Sequence, residues 1–352
     1  MNPFTYEALP SRVVFGYGTF ALLEEEIDRL ELGRVLVLAT PQQAQEASRL
    51  AANLASRSVG VFAGATMHTP VDVTWKAIEE VRSREADGLV AVGGGSTTGL
   101  AKAIALRTDL PQIIVPTTYA GSEMTSILGE TEHGVKTTQR SPKILPEVVI
   151  YDVDLTLTLP VGLSGTSGIN AIAHAVEALY ARDANPVISL MAEEGIRALG
   201  HALPKIAADG LDRAARADAL YGAFLCGKCL GAVGMALHHK LCHALGGAFD
   251  LPHAETHTIL LPHTVAYNTA AVPEAMERVS RALGRTDATA ALFDLGAQVG
   301  APRGLKDIGM PRDGIDRAVA QAMAAPYWNP APLEEGRIHS LIARAWEGLA
   351  PA

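Results

Sequence analysis

From Arg34 to Val115 one pattern repeats: a short apolar run, a break, then a longer amphipathic stretch. Arg34–Ala39 (RVLVLA), Val59–Phe62, Gly88–Val92 (GLVAV) and Gln112–Val115 (QIIV) read as strands. Gln43–Ser58, Val73–Ala86 and the stretch that follows Gly93-Gly94-Gly95-Ser96 as far as Leu106 read as helices. Continuously apolar strands separated by helix-length segments dictate a parallel sheet with helices on both faces. Arg12–Phe15 reads as an extra strand leading into the turn at Gly16–Gly18, and Val148–Tyr151 as a last one. From Pro160 onward the strand signal ends and Ala- and Leu-rich helical periodicity takes over, as in Gly168–Ala181, Pro186–Ala207 and Asp212–Ala236. The sequence thus predicts an α/β domain over residues 1–159 and an all-helical domain over 160–352. A chain of 352 residues exceeds what one core usually holds. No long linker separates the halves, so direct packing around a cleft is expected.

Composition bounds the setting. The chain is 48% hydrophobic, which excludes disorder as its main state. No apolar run reaches the length of a membrane span, and Met1–Pro10 lacks the basic start and apolar stretch of a signal peptide. The net charge of −9 opposes binding to a phosphate backbone. Three cysteines are too few for a disulfide framework and fit a reducing cytoplasm. The expectation is a cytoplasmic protein that binds neither nucleic acid nor membrane.

Chemistry concentrates in three places. In AVGGGSTTGLAK an apolar strand runs into three glycines, a serine and a helix; glycines without Cβ let backbone N–H groups approach a phosphate at a helix N-terminus. It is neither the dinucleotide fingerprint G-x-G-x-x-G nor a Walker A loop. A second hydroxyl-rich loop, PTTYAGSE, follows the next strand, and two such loops on adjacent strand ends suggest the rim of one dinucleotide pocket. Third, six of the eleven histidines lie between His238 and His263. Asn170 and His174, His239 and His243, and His253 and His257 are each four apart, so each pair shares one face of a predicted helix. Helices commonly build sites this way. His238 and His263 read as structural or supporting. Cys226-Gly-Lys-Cys229 sits inside a helical run with no strand before it and reads as two small packing residues.

The order GGGS, PTTYAGSE, a helix bearing His174, then H-x3-H and PHxExH resembles the iron-containing alcohol dehydrogenase-like superfamily. AVGGGSTTGLAKAIAL, PTTYAGSEMTSILGET and PYWNPAPL resemble its maleylacetate reductase branch. The resemblance implies a Rossmann-like NAD(P) domain, a helical domain and a homodimer. It places the cofactor on Gly93, Gly94, Gly95, Ser96, Thr97, Thr117, Thr118, Ser122 and Thr125, with Lys136 near the nicotinamide ribose. Thr40 stands where some relatives carry an acidic residue that disfavours NADP, so both NADH and NADPH are expected. Metal-dependent relatives use one Asp and three His; the matching positions are Asn170, His174, His239 and His253. An amide oxygen is a poor substitute for the lost carboxylate. Gly99 replaces an Asp found in many alcohol dehydrogenases. Both departures match the maleylacetate reductase branch, and no metal is expected, although three histidines alone are able to bind zinc.

The reaction so implied is hydride addition to the enone carbon β to a ketone, on a dicarboxylate substrate, followed by protonation of the α-carbon. The enolate spreads charge that a simple carbonyl reduction would concentrate. His243 is assigned as general acid, with His174, His239, His253 and Asn170 as hydrogen-bond donors that polarise the substrate. Lys240 and Arg140 are candidate cations for its carboxylates. The alternatives are a metal-dependent alcohol or polyol dehydrogenase, a dehydroquinate-synthase-like lyase and a non-catalytic dinucleotide-binding protein.

Overall fold

The computed structural model describes residues 4–9, 11–324 and 328–352. The chain forms two compact units, Ala8–Leu159 and Pro160–Ala352, and residues 4–7 cluster with the second.

In the first unit the apolar runs become strands β1 (Arg12–Gly16), β2 (Val35–Leu38), β3 (Ser58–Phe62), β4 (Gly88–Gly93) and β5 (Gln112–Pro116). β6 (Ile127–Glu132) and β7 (Val135–Arg140) follow, and β8 (Val148–Asp152) is last. Six of them form one all-parallel sheet in the order β1-β8-β5-β4-β2-β3. The central strands are buried on both faces, which is why they carry no polar alternation. Helices α1 (Leu23–Arg29), α2 (Ala44–Asn53), α3 (Val71–Ser83) and α4 (Gly95–Thr108) complete this Rossmann-like unit. Val35, Val37, Val90, Ile113, Val115, Val148 and Ile150 form one core layer with Ile27 of α1.

Two elements of this unit were not foreseen. α1 is short and starts with Glu24, Glu25 and Glu26, a polar run that is favourable at a helix N-terminus. β6 and β7 pair antiparallel, outside the main sheet. Their two-residue turn, His133-Gly134, has φ of 49° and 76°, the positive values that a tight hairpin requires.

The second unit is helical: α5 (Val161–Leu179), α6 (Pro186–Ala208), α7 (Arg213–Ala232), α8 (Leu237–Phe249) and α9 (His253–Asn268). α10 (Pro273–Ala282), α11 (Ala288–Gln298), α12 (Gly314–Ala324) and α13 (Glu335–Glu347) follow. α5 begins seven residues before the expected Gly168, despite its GLSGTSG start. Ser164, Thr166 and Ser167 turn their hydroxyls back onto carbonyls four residues earlier, so their polar groups are satisfied inside the helix. Gly168 gives Leu203 of α6 room: an added Cβ would lie 2.6 Å from its side chain. α7 ends four residues early, at Ala232, and turns through 95° into α8. Among the described residues no single helix is long and apolar enough to cross a membrane.

Small residues let α6 and α7 touch backbone to backbone. Cys226 packs against Gly195, and both Cys226 and Cys229 are free, fully buried thiols whose ionisation burial pushes up. A Cβ on Gly222 would lie 3.0 Å from the Gly195 carbonyl oxygen and 3.1 Å from the Leu199 nitrogen, and no rotamer relieves a clash with backbone. Gly222→Ala is therefore expected to lower the unfolding free energy by about 1–3 kcal/mol. Urea denaturation checks this: an unchanged midpoint would mean that the two helices separate freely.

Candidate functional site

Two sites emerge, one in each unit. In the first, β4 delivers the glycines to the N-terminus of α4. Gly93 has φ +153°, and a Cβ there would meet Thr97 Oγ1 at 2.5 Å; a Cβ on Gly94 would meet the Thr118 methyl at 2.8 Å. Only glycine fits at either position. Gly95 is exposed and Ser96 half-buried at the start of the helix, where backbone N–H groups have no intrahelical acceptor. Thr97 Oγ1 is buried without a hydrogen-bond partner. Thr117 N–H donates to the Gly93 carbonyl at 3.0 Å, so the two loops lie side by side. Thr40, at the end of β2, donates to Gln43 Oε1 at 3.1 Å, and that oxygen borders Gly93. Backbone N–H groups and hydroxyls thus gather at the start of α4, a setting that suits a phosphate.

Lys102 of α4 clamps the second loop, donating to Ser122 O at 2.7 Å and to Thr125 Oγ1 at 2.9 Å. Burial brings its pKa down to about 7. Glu123 accepts from Tyr151 at 2.7 Å and is pushed upward by its own burial. The Thr125 hydroxyl, expected to touch cofactor, is buried and engaged by Lys102 and Ser122. Gly99 has its reason in Thr69, whose Oγ1 would lie 2.3 Å from any Cβ at position 99. The backbone of Lys136 pairs with Thr131 in the hairpin; its side chain lies outside the described residues.

In the second unit α5, α8 and α9 bring the histidines together. The His174, His239 and His257 rings form a triangle with centroids 5.1 Å (174–239), 5.0 Å (239–257) and 6.3 Å (174–257) apart. His253 lies 4.4 Å from His257, and His243 lies 6.1 Å from His239 and 6.5 Å from His253. Asn170, His174 and His239 are buried, His243 is half-buried and His253 exposed. Burial first, and then the neighbouring histidines, hold His174, His238 and His257 well below the ordinary imidazole range, so they are neutral at pH 7. Asn170 Oδ1, His174 Nδ1, His239 Nε2 and His257 Nε2 are all buried without a hydrogen-bond partner. Lys240 is half-buried in α8 and Arg140 exposed at the end of β7.

Glu177 is the residue that sequence reasoning missed. Its carboxylate accepts from His239 Nδ1 at 2.7 Å, from Ala236 N at 2.9 Å and from His238 N at 2.7 Å. The signal was present: 170, 174 and 177 fall on one face of α5. The pairing has a consequence for His239. With its Nδ1–H given to Glu177, a neutral His239 presents a lone pair at Nε2 and is an acceptor, not the donor expected. His257, read from the sequence only as the i,i+4 partner of His253, stands at the centre of the cluster.

The model of the Fe-containing alcohol dehydrogenase family, C-terminal, matches residues 164–346, and that of iron-containing alcohol dehydrogenase matches residues 10–153. The chain belongs to the iron-containing alcohol dehydrogenase family. Among its relatives, the maleylacetate reductase of Rhizobium sp. (strain MTP-10005) is 57% identical over 351 residues and that of Burkholderia cepacia 56% over 352, each comparison covering 100% of both chains. The crystal structure of maleylacetate reductase from Agrobacterium tumefaciens superposes with a TM-score of 0.96 at 57% identity, covering 100% of both chains.

Family membership corrects one expectation. No metal was expected because Asn170 replaces a carboxylate. The family whose models match is iron-containing, and the side chains present suit a metal. His238, Cys242 and His257 place one ligand atom each within 4.8 Å of one another. The four orphaned atoms of Asn170, His174, His239 and His257 are oxygen and imidazole nitrogen, donors that suit divalent iron or zinc. A carboxylate behind a ligating imidazole, as Glu177 stands behind His239, is the usual support of such a ligand.

His263 offers a pH test away from the cluster. It is buried, and its pKa is pushed down to about 4, by burial first and then by Arg344. From pH 6.5 down to 4 the unfolded chain holds a proton there that the native chain lacks. Stability must fall as pH falls through that window, with a slope approaching about 1.4 kcal/mol per pH unit. His263→Asn removes this contribution, so its urea-midpoint profile is expected to be flatter than wild type between pH 6.5 and 4. Parallel profiles would show that His263 titrates normally in the native state.

Proposed function

We propose that this chain is an NAD(P)H-dependent maleylacetate reductase, which reduces the enone C=C of maleylacetate to 3-oxoadipate in the breakdown of aromatic compounds. The observation that carries the reading is full-length identity of 57% to a maleylacetate reductase, with no segment of either chain left over. In the first unit, Gly93, Gly94, Gly95, Ser96 and Thr97 hold the pyrophosphate at the start of α4, while Thr117, Thr118 and Ser122 line the adjoining loop that Lys102 fixes. Thr40 is neutral and leaves a 2′-phosphate unrepelled, which suits NADPH as well as NADH. The bound nicotinamide supplies a hydride.

In the second unit, conjugate reduction moves negative charge to the ketone oxygen and leaves the α-carbon to be protonated. Asn170, His174, His239 and His253, with the orphaned Nε2 of His257 beside them, would hold a divalent metal, which would supply Lewis-acid polarisation of that oxygen. His243, half-buried at the rim of the cluster, delivers the proton to the α-carbon.

The wider setting in this proposal is a cytoplasmic homodimer. Three free thiols suit a reducing compartment. β1 is an edge strand with Phe15 exposed, and Tyr17 follows it, 50% exposed; that edge suits pairing with a second copy.

Oxidation of NADH and NADPH with freshly prepared maleylacetate tests the reading, with 3-oxoadipate as the expected product. His243→Ala is expected to lower kcat about 10²–10⁴-fold, the usual worth of a general acid. No turnover of maleylacetate with either nucleotide, alongside oxidation of a simple polyol, would make the chain a polyol dehydrogenase instead. Titration of chelated protein with Fe²⁺ or Zn²⁺ tests the metal separately. One ion per chain is expected, bound at least about tenfold more weakly after His239→Ala.

A further inference from the structure

Behind the histidine triangle runs a chain of three buried side chains with no route to solvent: Thr264 and His257 of α9 and His238 of α8. Thr264 Oγ1 lies 3.1 Å from His238 Nδ1, and His238 Nε2 lies 2.9 Å from His257 Nδ1. His238, His257 and Thr264 each have no exposed surface. The direction of the protons along this chain follows from its far end. Thr264 Oγ1 is also 2.9 Å from the Leu261 carbonyl oxygen and 3.2 Å from that of Leu260. Carbonyl oxygens bring no proton, so two oxygens this close need the single hydroxyl proton of Thr264 between them. Thr264 therefore has only lone pairs left for His238, and His238 must donate from Nδ1. A neutral His238 is then bare at Nε2 and accepts from His257 Nδ1–H. The Cys242 thiol stands farther from the same nitrogen, at 3.6 Å. His257, with its proton on Nδ1, turns an unprotonated Nε2 toward the cluster, where that atom has no partner.

We infer that Thr264, acting through His238, is a positioning residue that sets the tautomer of His257 and keeps its Nε2 an acceptor. Neutral His257 can then accept a proton or ligate an electrophile at Nε2, but it has no proton there to donate. This agrees with the reaction proposed above, on which this point rests, where His243 and not His257 delivers the proton. Glu177 does the same to His239 from the opposite side, so two imidazoles of the triangle are fixed in one sense by independent partners.

The inference predicts its own reversal. Thr264→Val keeps the shape and removes the acceptor. His238 then has nothing at Nδ1 to donate to, moves its proton to Nε2 and donates to His257 Nδ1. His257 moves its own proton to Nε2, so no proton is gained or lost but the chain points the other way. Two-bond ¹H–¹⁵N spectra of metal-free, histidine-labelled protein read this directly, and they need no substrate, so their outcome stands apart from the maleylacetate reading. Wild type and Thr264→Ser are expected to show His257 as the Nδ1–H form and Thr264→Val as the Nε2–H form. An Nε2–H form in wild type, or the same form in wild type and Thr264→Val, overturns the inference. Should Thr264→Val not fold, the wild-type and Thr264→Ser spectra still decide it. With substrate, Thr264→Val is expected to lose about 10–100-fold in kcat and Thr264→Ser to recover most of it. An inverted tautomer at full kcat would overturn the positioning role.

Discussion

Glu177 has no exposed surface and accepts hydrogen bonds from Ala236, His238 and His239, all at or near the start of α8. A buried carboxylate is tolerated only when its lone pairs are met by good donors. Here α8 itself supplies them: two are backbone N–H groups that a helix start leaves without partners, and they carry the positive end of its dipole. The carboxylate thereby fixes where α8 begins, immediately after the 95° turn from α7. With the start fixed, His239 and His243 fall one turn apart along α8, and the face that bears His239 meets α5 and α9. The geometry of the cluster follows from this one anchor, and so does the proton position on His239.

Much of the frame was legible because it rests on local pattern. Apolar runs with no polar alternation could only be sheet interior, and β2, β4, β5 and β8 lie where those runs fall. The pairs four apart, Asn170 with His174 and His239 with His243, place their side chains by helical geometry alone. The failures were of two kinds. Polar-rich elements such as α1, the start of α5 and the β6–β7 hairpin carry weak hydrophobic periodicity and were assigned to no element. Residues whose part depends on a tertiary partner were silent: Lys102 looks like a helix-surface lysine until Ser122 and Thr125 are seen to receive it. Glu177, near the end of α5, looks like a solvated charge until α8 closes over it.

The metal question was misjudged for the same reason. Reading Asn170 as a lost ligand charge counted only the side chains that face the centre. The structure keeps a carboxylate one layer back, on Glu177, where it acts through His239 instead of binding directly. Negative charge behind an imidazole raises the basicity of its free nitrogen, so the set is less depleted than a comparison of four positions suggests.

Asn170 Oδ1, His239 Nε2 and His257 Nε2 are buried acceptors with no donor to meet them. Each such atom costs roughly 1–3 kcal/mol while it stays unsatisfied. An anionic group would bring no donors to relieve that cost and would add acceptors to a site that already has too many. What satisfies these atoms is an electrophile, a divalent cation or a proton held among the rings. The cluster is rich in lone pairs, and positive charge is what suits it.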